Sequence, residues 1–231
     1  MEIYKLTDSV SDRVSGKYDE KLIVTDLRQG IKNPNRVNVF VNGRFSFSLD
    51  VSQVVEMGVK KGREIDREQL GEFKKASEFG KLYQRTLEWT LLRPHSEREI
   101  YDYLKKKIYD KKLDKDLIER IIDRLKEKGY IDDEKFAQYY IENRFVKKGI
   151  SRKRLKMELK KKGVNETLAE MVLGERSDVD EIKKIVQRKQ KKYDKEKLIA
   201  YLCRQGFSYE LVKEVVEEEL RDYSSSASDG L

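Results

Sequence analysis

The chain has 231 residues, of which 41% are charged and 38% hydrophobic, with a formal net charge of +8 at pH 7. So thin an apolar supply argues against one deep globule and favours small helical modules in series, while the basic excess points to an anionic or acidic partner. One cysteine (Cys203) excludes an intramolecular disulfide framework, and one histidine (His95) leaves no Cys/His set for structural zinc or a catalytic triad.

No apolar run approaches the roughly 18 residues needed to cross a membrane, and the opening "MEIYKLTDSV" lacks a hydrophobic signal core. The chain is therefore expected to be cytoplasmic, with no membrane partner. Residues 1–80 carry 14 basic and 13 acidic groups, residues 81–231 carry 37 and 30, so the basic excess belongs to the second part.

In the first part, "KLIVTDLRQ" (21–29) and "RVNVFVNGRFSFSLD" (36–50) alternate apolar and polar residues. Asn42-Gly43 at the centre of the second run marks a hairpin, because a type I′ turn needs positive φ at both central positions. A small antiparallel sheet of about three strands is expected. Short helical pieces near 51–57 and 66–78 follow, separated by "GVKKG", where Gly58 and Gly62 interrupt the helix.

From residue 82 onward the pattern is helical and it repeats. "SRKRLKMELKKKGVNETLAEMVLGE" (151–175) aligns with "DKEKLIAYLCRQGFSYELVKEVVEE" (194–218), matching Leu155 with Leu198, Leu159 with Leu202, Gly163 with Gly206, Leu168 with Leu211 and Val172 with Val215. An earlier copy begins at Ser96 and needs extra residues around Tyr109 before Leu117 and Ile121 fall into place. A further helix precedes each copy, at 82–92, 134–147 and 180–192, so each unit is a three-helix module. Ser96, Ser151 and Asp194 are suited to cap the second helix of their units, Ser96 with Glu99 as a capping box. Gly163 and Gly206 fall where the next turn needs a left-handed residue.

The expected fold is mainly α: tandem helix-turn-helix-like three-helix repeats behind a small N-terminal antiparallel β domain. The expected boundaries are 1–80 for that domain, 81–131, 132–176 and 177–222 for the repeats, and 223–231 for a disordered tail with nothing to bury.

Asp132, Asp133 and Glu134 could be imagined as nuclease metal ligands, but they follow "KGY" at a helix start, where aspartate caps and acids favour the dipole. No second acidic cluster with an activating lysine or histidine accompanies them, so no catalytic or metal-binding residues are assigned and no cofactor is expected. Phe136, Tyr140 and Phe145 approximate helical spacing and are read as packing, with Tyr139 the least committed. Tyr83, Trp89, Tyr101 and Tyr103 are read the same way, and Cys203 as a partly buried filler.

The segment 144–162 is different. It holds ten basic residues (Arg144, Lys147, Lys148, Arg152, Lys153, Arg154, Lys156, Lys160, Lys161, Lys162) and one acid, Glu158. Such crowding is self-repulsive without a compensating partner, and these ten are the candidate contacts to a partner protein or to DNA phosphate.

The strings "LYQRTLEWTLLRPHSEREIYDYLKKK" and "LKEKGYIDDEKFAQYYIENRFVKKGISRKRLKMELKKKGV" resemble the bacterial RecX family, regulators of the RecA recombinase. The matching positions are Leu91-Leu92-Arg93, Ser96-Glu97, Gly129-Tyr130, Asp132-Asp133, Phe136-Ala137, Arg144, Gly149 and Gly163, and the likeness covers about 82–219, leaving the N-terminal sheet outside. The resemblance implies that the repeats form an elongated curved array and that the chain, expected to be monomeric, is a regulator in homologous recombination, DNA repair and the SOS response. Such a regulator binds the groove of the RecA filament on single- or double-stranded DNA, inhibits its ATPase and strand exchange, and promotes disassembly. The alternative reading is a RecA-independent helix-turn-helix-like DNA-binding protein. Against it, the third helix of the middle repeat is acidic and the basic charge lies on the second.

Overall fold

The computed structural model describes residues 21–31, 33–111 and 113–228, with backbone alone at 144–148 and 222–228. Two compact units divide the chain, residues 1–81 and 82–231.

In the first unit, β1 (Leu22–Gln29), β2 (Arg36–Val41), β3 (Arg44–Asp50) and β4 (Glu64–Ile65) form one antiparallel sheet in the order β3-β2-β1-β4. The β2–β3 turn is the expected one, with Asn42 at φ 49° and Gly43 at φ 78°. Alternation sends Val24, Val39, Phe47 and Leu49 to one face, where Val59, Ile65 and Phe73 close a core. The strand missed by periodicity is β4, whose two residues are too few to alternate visibly.

After α1 (Val51–Glu56) comes α2 (Arg67–Thr90), a single helix of 24 residues. It joins the segments expected as separate helices at 66–78 and 82–92. Gly80 costs a helix only about 1 kcal/mol relative to alanine, and no proline reinforces it. Its missing side chain also leaves room for neighbours, because a Cβ there would lie 2.9 Å from Asp50 Oδ2 and 3.1 Å from Arg36 Nη1.

The second unit continues with α3 (Glu97–Lys111), α4 (Asp116–Glu127), α5 (Asp133–Lys148), α6 (Arg152–Lys161), α7 (Glu166–Leu173), α8 (Asp178–Lys189), α9 (Lys195–Arg204) and α10 (Tyr209–Ser228). The predicted i, i+4 pairs Ile100/Leu104, Leu155/Leu159 and Leu198/Leu202 are all buried. Leu155 and Leu159 pack with Phe136, Ile141, Ala169 and Leu173, and Leu198 and Leu202 pack with Ile182, Val186, Val212 and Val216. Burying a leucine contributes roughly 1.5–3 kcal/mol, so these stripes decide which helix face turns inward. The last helix runs to Ser228, into the stretch expected to lack structure.

Candidate functional site

The basic segment begins on α5 and continues along α6 to the turn after it. Ser151 caps α6, its Oγ accepting from the Arg154 N–H at 3.2 Å, and Gly163 closes the turn at φ 87°. With Leu155 and Leu159 turned inward, the 3.6-residue period leaves Lys153, Lys160 and Lys161 exposed.

The charges are less free than the sequence suggests. Arg152 Nη2 lies 2.6 Å from Glu170 Oε2, and its other terminal nitrogen donates to the Gly174 carbonyl, capping the end of α7. Lys156 Nζ bridges Glu166 Oε1 at 2.7 Å and Glu170 Oε1 at 2.6 Å. Hydrogen bonds from Lys156 hold both carboxyls below the usual carboxylate range, and those two acids push the Lys156 ammonium up. Arg154 Nε lies 3.3 Å from Glu158 Oε1, and its Nη1 donates to the Arg204 carbonyl at 2.7 Å, at the end of α9.

Lys162 reaches back to the preceding repeat, its Nζ 2.8 Å from Glu99 Oε1. Glu99 Oε2 takes Arg93 Nη1 at 2.9 Å and His95 Nδ1 at 3.0 Å. Burial opposes ionisation of Glu99, yet the hydrogen bonds from His95, Lys162 and Arg93 outweigh it and hold its pKa at about 2. The expected Ser96 capping box is thus half formed. Ser96 Oγ accepts from the Glu99 N–H at 3.1 Å, but the Glu99 side chain serves the three basic groups.

Of the ten candidate contacts, then, Arg152, Arg154, Lys156 and Lys162 hold helices together, contrary to the expectation of uncompensated charge. Their neutralisers come from α7 and from the first repeat, with only Glu158 lying inside the segment. Lys153, Lys160 and Lys161 are exposed with no ion pair among the described residues. The side chains of Arg144, Lys147, Lys148 and Phe145 lie outside the described residues.

The aspartate pair acts at helix ends, as expected, but on two helices. Asp132 Oδ1 accepts from the Glu134 and Lys135 N–H groups, both at 3.0 Å, and caps α5. Asp133 Oδ1 accepts from the Glu97 N–H at 2.9 Å and so caps α3 of the preceding repeat. Accordingly the hydrogen bond from the Lys135 N–H lowers the Asp132 pKa, while burial raises that of Asp133. The next junction repeats the device: Asp178 Oδ1 accepts from the Arg152 N–H at 2.7 Å. The first residue of the first helix in each of these following repeats, α5 and α8, thus gives the preceding repeat's second helix a second N-terminal acceptor beside its serine. Sequence reasoning missed this, because the acceptors lie 36 and 26 residues from the amides they cap, at no common spacing.

Among the aromatics, Phe136 is buried and Tyr140 packs beside it, its hydroxyl donating to Glu158 Oε2 at 2.8 Å. Trp89 lies between His95 and Tyr103, with ring centroids 3.6 and 4.5 Å away. Tyr101, expected to pack, is instead exposed. Cys203 is half-buried against the core around Leu198 and Leu202, as expected.

No helix among the described residues is long and apolar enough to cross a membrane. Comparison with known proteins matches residues 22–66 to the regulatory protein RecX N-terminal domain and residues 132–173 to the RecX second three-helix domain. The first match includes the N-terminal sheet, which the sequence motifs had left outside the likeness.

The chain is 30% identical over 205 residues to a regulatory protein RecX of Clostridium perfringens (strain SM101 / Type A), covering 84% of this chain and 94% of that one. It is 28% identical over 205 residues to a regulatory protein RecX of Bacillus pumilus (strain SAFR-032), covering 84% and 76%. A crystal structure of regulatory protein RecX matches with a TM-score of 0.66 at 21% identity, over 86% of this chain and all of that one, and so shares the fold. With its curled N-terminal sheet, its three-helix units and this degree of identity, the chain belongs to the RecX family of regulatory proteins.

Proposed function

We propose that the chain is a non-catalytic regulator of the RecA recombinase that binds the RecA–DNA filament along its groove and inhibits recombination and ATP hydrolysis or promotes filament disassembly. The recombinase is the partner that membership of the RecX family suggests. The contact proposed is the outer face of α6, and one observation carries it: Lys153, Lys160 and Lys161 stand exposed without an ion pair among the described residues, while their neighbours are satisfied internally. Arg144, Lys147 and Lys148 extend the proposed contact by sequence. Regulation then requires only that the chain bind one state of the filament more tightly than another.

A helix-turn-helix reader of duplex DNA is less well supported. Its reading helix would be α7, which carries no basic side chain, and the cations nearest to it, Arg152 and Lys156, are already taken up by Glu166 and Glu170 and so are not offered to phosphate.

The test is the single-stranded-DNA-dependent ATPase of RecA, titrated with the chain and with a Lys153→Glu/Lys160→Glu/Lys161→Glu variant at two salt concentrations. The native chain should inhibit, less so at higher salt. The variant should keep its helix content and lose inhibition, and full inhibition by a folded variant refutes the assignment.

A further inference from the structure

Between α6 and α7 of the middle repeat the surface opens into a cavity of about 200 Å³. Its floor is apolar, formed by Val164 and Ala169, which are 2% and 1% exposed. At its mouth stands Met157, a large apolar side chain left 54% exposed. Lys153 and Lys160 flank it, and the Lys156–Glu166 ion pair completes the rim.

The spacing explains the arrangement. Lys153, Met157 and Lys160 follow one another at i, i+4 and i+7, one face of α6, so two cations about 10 Å apart along the helix bracket one apolar side chain. Both are exposed and lack an ion pair among the described residues. Phosphate has no use for an apolar floor, which gains only by receiving another apolar group. The cavity is also smaller than the roughly 300 Å³ at which drug-sized ligands begin to be enclosed, so a single side chain fits its scale better.

We propose that this cavity is a docking site for an acidic protein segment that inserts one aliphatic side chain between α6 and α7, its flanking carboxylates meeting Lys153 and Lys160. The site deepens the regulatory reading above and rests on it for its biological setting. Within that reading it assigns the face to protein rather than to nucleic acid. Lys156 is not a contact to the segment, because it neutralises Glu166 and Glu170 and so spares incoming carboxylates their repulsion.

The test is fluorescence anisotropy on the full chain with three labelled probes: an acidic peptide of Asp and Glu around one central Leu, the same peptide with Ala at the centre, and an oligothymidylate of matched charge. The Leu peptide should bind, and the Ala peptide should bind about tenfold more weakly. Met157→Gln should weaken the Leu peptide several-fold, on the order of what a lost apolar contact removes, and leave the oligothymidylate unchanged. Lys153→Ala/Lys160→Ala should weaken the Leu peptide further. All three positions are exposed, so circular dichroism should show unaltered helix content.

Equal affinity for the Leu and Ala peptides overturns the proposal, as does tighter binding of oligothymidylate than of the Leu peptide at the same salt. The two readings fail separately. A chain that inhibits RecA but does not discriminate Leu from Ala loses only the cavity, and one that captures the Leu peptide but does not inhibit loses only the filament.

Discussion

Replacing Glu99 with glutamine removes a negative charge from beneath Arg93, His95 and Lys162, and with it the ion pair that ties α6 to α3. Burial opposes the Glu99 charge, but hydrogen bonds from these groups bring its pKa from 4.5 to about 2, and its side chain is 13% exposed. A carboxylate with a depressed folded pKa stabilises the fold above its unfolded pKa and loses that contribution as pH falls through the folded one. The contribution is therefore complete above about pH 4.5 and gone by about pH 2, and the fall in pKa corresponds to roughly 3 kcal/mol. Glutamine keeps one acceptor, so Glu99→Gln should cost about 2–3 kcal/mol at pH 7. Urea unfolding followed by circular dichroism should show a large midpoint difference between native chain and variant at pH 7, shrinking as pH is lowered towards 2.5. An equal difference at both pH values, or none at pH 7, refutes the role given to Glu99.

Two further outcomes concern the junctions between repeats. Asp133→Ala and Asp178→Ala should each cost about 1 kcal/mol, the usual worth of an N-terminal cap. Hydrogen exchange should speed up at the Glu97 amide in the first variant, 36 residues away in sequence, and at the Arg152 amide in the second. Acceleration confined to the mutated residue's own helix would contradict the cross-capping. Gly163→Ala and Gly206→Ala should lower the thermal midpoint more than Gly129→Ala does. All three have positive φ, but a Cβ would lie 2.6 Å from Arg98 Cβ at Gly163 and 2.8 Å from Ser151 Oγ at Gly206, with nothing within 4 Å at Gly129. Equal losses at all three would mean that backbone strain alone is at work.

Local and periodic features were legible in advance. Asn42-Gly43 announced the hairpin, the leucine pairs announced the inward faces, Ser151 and Asp194 announced helix starts, and Asp132 a capped one. Each depends on residues within about one helical turn or one strand pair, where dihedral preference and side-chain period act directly. The join of two expected helices into α2 was not legible, because a lone glycine is a weak interruption that the rest of the helix overrides.

The candidate site was legible as a location and not as an allocation. Composition marked 144–162 as a basic segment, and periodicity turned Leu155 and Leu159 inward, but of Lys153, Arg154, Lys156, Lys160 and Lys161, which it placed outward, Arg154 and Lys156 are half-buried and paired. Which of those charges remain available was decided by distance in space. Glu170 is 18 residues from Arg152 and Glu99 is 63 from Lys162, separations that no local pattern encodes. The sequence by itself determined the repeat, the caps at Ser151 and Asp194 and the position of the basic segment. Only the tertiary structure decided that Arg152, Lys156 and Lys162 meet acids of α7 and α3, that Arg154 reaches the end of α9, and that Lys153, Lys160 and Lys161 stay exposed without an ion pair among the described residues. Ion pairing depends on proximity, and proximity between helices is set by how the apolar stripes pack.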